Sequence, residues 1–176
     1  ECENGETIEA DYIVSSIPLG VLKQQNIKFE PALPDWKMGP IQRIGYGVLN
    51  KVVLVYEKAF WDESRDIFGT LRNPANRFSL EQSEYFTQRG RFFQWFNVTN
   101  TTGLPTLLAL MAGDAAFSTE STPNDLLIAE ATKVLKSVFG ANVPSPVESV
   151  VTRWGHDEFS YGSYSYTGPN FQPDDY

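Results

Sequence analysis

The sequence predicts an α+β fold in which a mixed, largely antiparallel sheet is flanked by helices. Two apolar runs, residues 51–56 and 106–112, have the composition of buried strands. A long amphipathic pattern over residues 123–139 is typical of a helix that covers one face of a sheet. Because strands and helices do not alternate strictly along the chain, a doubly wound parallel sheet is disfavoured.

The N-terminal quarter of the chain predicts one strand and one helix. Residues 11–17 form a mostly apolar run that predicts a buried strand, and Pro18 and Gly20 end it. A short helix is expected to reach about Ile44. It tolerates Pro40 only in its first turn, because proline lacks the N–H that the helix interior needs.

The remaining chain predicts further strands, one loop and one long helix. Thr122 is expected to cap the helix, Pro123 to occupy its first position, and Gly140 to end it. Residues 73–90 are polar and predict a long loop, and the tail from residue 155 is expected to be irregular. The apolar stripe of the helix consists of Leu127, Ala131, Val134, Leu135 and Val138. Strands are predicted at residues 51–56, 66–71, 91–98, 106–112 and 147–154.

Composition excludes several classes of function. The net charge of −8 argues against direct binding of nucleic acid, and it is compatible with a cationic amine or a basic peptide tail as partner. No run approaches the ~20 apolar residues that a membrane span needs. His156 is the only histidine and Cys2 the only cysteine, so the sequence predicts neither a zinc-type metal site nor a hydrolytic triad.

The segment Gly45-Tyr46-Gly47 partly imitates a dinucleotide-binding loop. It lacks the third glycine, and a strand rather than a helix follows it. The helix N-terminus that would hold a pyrophosphate is therefore absent. These glycines are instead expected to form a turn before the strand.

Two segments carry most of the chemical information. In residues 47–62 a lysine, Lys51, enters an apolar strand, and the pattern alone favours an exposed lysine at a strand edge. In residues 153–166 aromatic side chains are interspersed with small ones. The pattern alone favours aromatic packing over a sheet edge, with a flat aromatic pocket as the alternative.

Together these segments resemble the flavin-containing amine oxidases. The stretches Leu49-Asn50-Lys51-Val52-Val53-Leu54 and Gly162-Ser163-Tyr164-Ser165-Tyr166 look most like the lysine-specific histone demethylases. Residues 16–23, 33–37 and 41–45 add to the resemblance, which covers nearly the whole chain in the same order except residues 73–90. It implies the substrate-domain type of fold found in amine oxidases.

The resemblance also implies a domain division and a cofactor. Residues 1–19 would be a remnant of the FAD-binding domain, 20–154 the substrate-binding domain, and 155–176 an aromatic segment returning toward the FAD domain. The implied cofactor is FAD. The family's Gly-x-Gly-x-x-Gly segment, which grips the FAD pyrophosphate, is not in this sequence. The chain by itself is therefore expected to be inactive and to hold FAD weakly.

The resemblance assigns roles to four residues. Lys51 matches the lysine that holds a water against the flavin, so it is the expected catalytic residue. Trp154 matches a tryptophan packed near the flavin ring, and Tyr164 matches one wall of the aromatic cage beside both flavin and substrate. Phe159 stands where the demethylases usually have tryptophan, so it keeps ring packing toward the substrate but loses an indole N–H.

The implied function of the intact protein is oxidative demethylation of methylated histone lysine, giving formaldehyde and hydrogen peroxide. The implied partners are a methylated histone tail or another amine, and a chromatin corepressor complex, without nucleic-acid binding or membrane attachment by this chain. A demethylase would be nuclear, and another amine oxidase intracellular. Two alternatives stay open: a polyamine or other amine oxidase, and a non-catalytic scaffold in a chromatin complex.

Overall fold

The computed structural model describes residues 2, 4–71 and 90–175 of the chain. The described strands form one five-stranded sheet and one two-stranded ribbon, with helices packed against the sheet. This architecture confirms the predicted α+β class. In chain order the elements are α1 (Leu19–Gln24), α2 (Asp35–Arg43), β1 (Gly45–Gly47), β2 (Leu49–Val55), β3 (Ile67–Gly69), β4 (Arg91–Asn97), α3 (Thr99–Thr102), β5 (Thr106–Ala112), α4 (Asp114–Ser121), α5 (Asn124–Phe139), β6 (Glu148–Val151), β7 (Tyr164–Tyr166) and a 3₁₀ turn (Pro173–Asp175).

Strand β2 lies inside the five-stranded sheet, whose order is β3-β4-β5-β2-β6 with antiparallel neighbours. It pairs with β5 along its whole length, from Leu49 opposite Ala112 to Val55 opposite Thr106. Strand β6 pairs with its other side. Strand β5 has the predicted bounds, whereas β2 begins two residues before the predicted start because its pairing with β5 extends that far.

The other predicted strands are present but shorter than predicted. Strands β3, β4 and β6 occupy parts of the predicted runs 66–71, 91–98 and 147–154. Strand length follows the length of the paired partner, which an apolar pattern does not specify. The predicted loop at residues 73–90 lies outside the described residues, apart from Gly90.

The core lies between one face of the sheet and helix α5. Burial alternates along β2, where Asn50, Val52 and Leu54 are buried and the residues between them are half-buried. Val138 was predicted to join the buried stripe but is 49% exposed. In that last turn Phe139 faces inward instead, and its ring lies 5.4 Å from the Phe60 and Phe68 rings. The other four stripe residues are buried as predicted: Leu127, Ala131, Val134 and Leu135.

Helix α5 does not begin as predicted. Pro123 occupies the N-cap position and Asn124 is the first helical residue. Thr122 does not cap the helix, because its hydroxyl donates at 2.7 Å to the carbonyl of Ser118 in the preceding helix. Only two residues separate α4 from α5, and Thr122 is the C-cap residue of α4.

Two N-terminal predictions are wrong. Residues 11–17 form no strand, and Tyr12 and Val14 are 93% and 94% exposed. A strand needs a hydrogen-bonding partner, and no described strand pairs with this segment. Helix α2 begins at Asp35, so Pro40 lies inside the helix rather than in its first turn.

The ribbon of β1 and β7 differs from the sequence prediction. Residues 45–47 were expected to form a turn and residues 164–166 an irregular tail, but the two segments pair as antiparallel strands. The Tyr166 ring explains the glycine in β1, because a β-carbon added to Gly45 would lie 2.4 Å from that ring. The glycine thus gives room for an aromatic ring from a distant segment.

Two observations on the described ranges bear on the class of protein. No helix there has both the length and the apolar character that crossing a bilayer requires. In the same ranges, no three His, Cys, Asp or Glu side chains are grouped so that they could hold a metal ion.

Candidate active site

Lys51 lies in the interior of the sheet, so the interpretation as an exposed edge lysine is wrong. Leu110 of β5 stands directly opposite it, and Thr152, just after β6, donates its N–H to the Lys51 carbonyl at 3.0 Å. The Lys51 side chain points away from α4 and α5, because the alternating neighbours Asn50 and Val52 point into the core. Lys51 is half-buried. The same sheet face carries the apolar residues Val53, Leu108 and Leu110.

The buried neighbour Asn50 connects three parts of the structure. Its Nδ2 donates to the Ala116 carbonyl at 3.2 Å and to Glu120 Oε1 at 2.6 Å, both on α4. Its Oδ1 accepts from the Thr152 hydroxyl and from the Trp154 backbone N–H, each at 3.1 Å. The amide therefore uses both donors and both acceptor positions, which satisfies a polar side chain that is fully buried.

The Glu120 carboxylate, near the end of α4, accepts several hydrogen bonds. Its side chain is only 7% exposed. Oε1 accepts from Asn50 and from the Gly155 N–H at 3.0 Å. Oε2 accepts from the His156 N–H at 3.0 Å and lies 2.6 Å from His156 Nδ1. Burial raises the pKa of Glu120, but the hydrogen bonds from Asn50, His156 and Gly155 outweigh burial, so the pKa is lowered. The carboxylate is therefore ionised at neutral pH.

Trp154 directly precedes the tail and Tyr164 lies within it, and the two side chains are 39% and 47% exposed. A β-carbon added to Gly47 would lie 3.6 Å from Tyr164 Cζ, so the Tyr164 ring covers that side of β1. Val48, the next residue, is buried.

Ser163 joins the tail to the end of β1 and the start of β2 through two hydrogen bonds. Its N–H donates to the Gly47 carbonyl at 2.8 Å, and its hydroxyl accepts from the Leu49 N–H at 2.9 Å. The preceding Gly162 has a φ of +146°, and a β-carbon there would lie 2.6 Å from the Tyr46 ring. Glycine is thus required for the close approach that positions Ser163 and Tyr164.

Phe159 stands apart from the other predicted site residues. It is 76% exposed and lies in a turn where its N–H donates to Asp157 Oδ1 at 2.9 Å. Among the described residues, no ring contact, hydrogen bond or ion pair directly joins the side chains of Lys51, Trp154, Phe159 and Tyr164. The Trp154 N–H donates to Asn50 of β2 and Tyr164 pairs with Gly47 of β1, whereas Phe159 lies on an exposed turn.

The arrangement fits the ring of a flavin better than its phosphates. The partly exposed aromatic side chains of Trp154 and Tyr164 offer flat apolar surface, and Lys51 supplies an amine on the sheet face that points away from α4 and α5. A pyrophosphate site needs a glycine-rich turn that opens a helix. Gly45–Gly47 is strand β1 and leads into β2, so it supplies no such helix terminus.

Sequence reasoning did not single out Asn50, Glu120 and Ser163, whose hydrogen bonds join β2 to α4 and to the chain around Trp154 and Tyr164. The signal for Asn50 was present, because a polar amide within an apolar strand requires hydrogen-bond partners when it is buried. No local pattern marks Glu120, since it meets Asn50 across 70 residues of chain and Gly155 across 35.

An ion pair between Arg43 and Asp175 holds the end of the tail against α2. Arg43 Nε lies 3.2 Å from Asp175 Oδ1, and Nη2 contacts the same oxygen. Asp175 also accepts the Gln172 N–H at 2.8 Å. The Arg43 hydrogen bond lowers the pKa of Asp175, burial opposes it, and the net pKa is below its ordinary value.

We expect Asp175→Asn to lower the melting temperature of the intact protein at neutral pH. A lowered folded-state pKa stabilises the fold above the unfolded pKa of about 3.9, and this stabilisation is lost as the pH falls through the folded pKa. The melting-temperature gap to wild type should therefore shrink as the pH is lowered from 6 toward 3. Asp174→Asn, at an exposed neighbouring position, is the matched control. A gap that widens on acidification would contradict this account.

Comparison with known proteins identifies relatives along the whole chain. The family model described as flavin containing amine oxidoreductase matches residues 1–176. Histone demethylase-like protein A of Aspergillus fumigatus is 52% identical, over 99% of this chain and 16% of that protein. Lysine-specific histone demethylase 1 homolog 3 of Arabidopsis thaliana is 42% identical, over 98% of this chain and 10% of that protein. The chain thus spans less than a fifth of the length of either relative.

Solved structures of putrescine oxidase share the fold. The wild-type enzyme bound to putrescine has a TM-score of 0.57 and 18% identity, over 86% of this chain and 30% of that chain. At this identity the likeness shows the fold alone. Together with the family model and the curated relatives, it confirms the resemblance that the sequence predicts.

Proposed function

Because this chain belongs to the flavin-containing amine oxidoreductase family, we propose that it forms the substrate-binding part of an enzyme that oxidatively demethylates histone lysine. The relatives named as histone demethylases support this choice of substrate. The family and its solved neighbour support FAD as the cofactor of the intact protein. The observation that supports the proposal is the position of Lys51 in an interior strand, half-buried on the sheet face that points away from α4 and α5.

The same proposal divides the chain into three parts. Residues 20–154 hold the five-stranded sheet and its helices, and form the substrate-binding domain. Residues 1–19 belong with the FAD-binding domain, and the exposure of Tyr12 and Val14 supports this, since both offer apolar surface to a further domain. Residues 155–176 return toward that domain and carry Phe159 and Tyr164, whereas Trp154 is the last residue of the preceding part.

Lys51, Trp154 and Tyr164 have distinct tasks in this proposal. When bound, FAD supplies the acceptor for a hydride equivalent from the carbon next to the amine nitrogen. Because Lys51 belongs to a strand that is paired on both sides, its amine holds one water at a fixed position. Trp154 and Tyr164 exclude bulk water and give the amine an apolar surround, which disfavours its ammonium form and leaves the nitrogen lone pair available.

The aromatic rings also serve the approach of the substrate. A Tyr164 ring face attracts a residual ammonium by roughly 0.5–2 kcal/mol. Phe159, on its exposed turn, offers a further ring for the methylated side chain. The net charge of −8 favours a basic histone tail over an acidic partner. The same choice of substrate supports nuclear localisation, and our proposal includes a chromatin corepressor complex as partner.

A peroxide-coupled assay of the intact protein tests the proposal. We expect a peptide carrying a methylated lysine in a basic histone-tail sequence to yield formaldehyde and hydrogen peroxide, whereas spermine and the unmethylated peptide yield neither. If only spermine yielded peroxide, the substrate would be a polyamine and not a histone lysine. A complete lack of flavin reduction with every amine would refute the oxidase assignment and leave a scaffold role.

A further inference from the structure

We propose that Glu120 is a positioning residue for this reaction, acting through Asn50 and residues 152–156 to fix the main chains at Lys51 and Trp154. The inference rests on the proposed function. Glu120 itself lies on α4, which packs on the sheet face opposite to the Lys51 side chain. It therefore acts on the site through other residues.

The first path runs from Glu120 to Lys51. The Lys51 N–H donates to the Thr152 hydroxyl at 2.8 Å, and the Thr152 N–H donates back to the Lys51 carbonyl at 3.0 Å. The same hydroxyl donates to Asn50 Oδ1 at 3.1 Å, and Asn50 Nδ2 donates to Glu120 at 2.6 Å. A chain of hydrogen bonds thus connects the carboxylate with the Lys51 N–H, and the backbone of the same Thr152 binds the Lys51 carbonyl.

The second path runs to Trp154. Three consecutive backbone N–H groups, of Trp154, Gly155 and His156, point at the pair formed by Asn50 and Glu120. Asn50 accepts the first, and the two carboxylate oxygens accept the second and the third. Hydrogen bonds to an ionised acceptor are about twice as strong as neutral ones. The carboxylate therefore fixes the position of the backbone directly after Trp154.

Gly155 shows how closely this segment fits the carboxylate. A β-carbon at Gly155 would lie 3.0 Å from both Glu120 Cδ and Oε1, and 3.3 Å from Oε2. The backbone φ of Gly155 is outside the left-handed region, so close approach and not backbone conformation accounts for the glycine. A methyl group there would push residues 154–156 and the carboxylate apart while the negative charge remains.

The test is Glu120→Gln in the intact, flavin-loaded protein. We expect the limiting rate of single-turnover flavin reduction to fall roughly 10- to 100-fold, because small misplacement of reacting groups has effects of this size. The amine dissociation constant and the flavin content should stay near wild type. Hydrogen exchange should speed up at the amides of residues 154–156. Asp114→Asn removes an exposed carboxylate from the same helix and should change none of these quantities.

A second variant keeps the test decisive. Gly155→Ala retains the charge and should reproduce both the slower reduction and the faster exchange, even where Glu120→Gln fails to fold. Unchanged reduction rates alongside faster exchange would show a purely structural role and overturn the inference, as would unchanged exchange. A wild-type protein that oxidises no amine overturns the proposed function instead, and the exchange data distinguish the two failures.

Discussion

Replacing Lys51 by methionine in the intact protein is expected to slow single-turnover reduction of the flavin by an amine by about 10²-fold, the size of effect that misplacing a positioned group has. Methionine keeps much of the apolar stem but removes the amine that holds the water. The fold should survive, because Lys51 lies on the half-buried sheet face and its main-chain pairing is unchanged. Stopped-flow bleaching of the flavin absorbance measures the rate.

Lys58→Met is the matched control for this experiment. Lys58 is exposed just beyond the end of the same strand, so the variant makes the same chemical change away from the site. It should reduce the flavin at the wild-type rate. Reduction at near wild-type speed in Lys51→Met would refute the catalytic role of Lys51. An equal loss in both variants would indicate an effect of net charge alone.

Trp95→Ala is expected to lower the free energy of unfolding by about 3–5 kcal/mol. Trp95 is fully buried in β4, and its ring lies 5.9 Å from the Phe68 ring and 6.0 Å from the Phe92 ring. Its Nε1 donates to the Phe92 carbonyl at 3.0 Å. The substitution leaves a cavity, removes the ring contacts and deprives that carbonyl of this donor. Urea unfolding of the intact protein, followed by circular dichroism, measures the change.

Trp36→Ala serves as the comparison for the core substitution. Trp36 is 68% exposed on α2, and its ring has Lys37 Nζ at 4.6 Å from the centroid. Its removal should change the free energy of unfolding by no more than about 0.5 kcal/mol, as is usual for surface positions. Losses of similar size in the two variants would contradict the placement of Trp95 in the core.

Apolar patterns predicted the centre of the sheet better than its margins. Strand β5 has the bounds that its wholly apolar run predicted, because such a run is stable only with strands on both sides. Residues 11–17 have a similar pattern and yet form no strand among the described residues. The pattern reports a tendency to be buried in a sheet, whereas a strand forms only where a partner strand is available.

The candidate site likewise contains some residues that the sequence singled out and others that only tertiary packing brings near it. The resemblance singled out Lys51, Trp154 and Tyr164, and their proposed roles remain to be measured. It did not single out Asn50 or Glu120, whose relation to the site depends on helix α4 packing behind β2. Phe159 was grouped with the other aromatic residues, although its turn holds it on the exposed outside of the tail.

The sequence by itself determined the α+β class, the family, the central strands and the long helix, because these depend on periodicity and on local motifs. Only the tertiary structure decided that Lys51 is an interior residue of the sheet and that Gly45 of β1 makes room for the Tyr166 ring. It alone also brought Glu120 against residues 155 and 156. These features depend on contacts between residues far apart in the chain, which no local pattern contains.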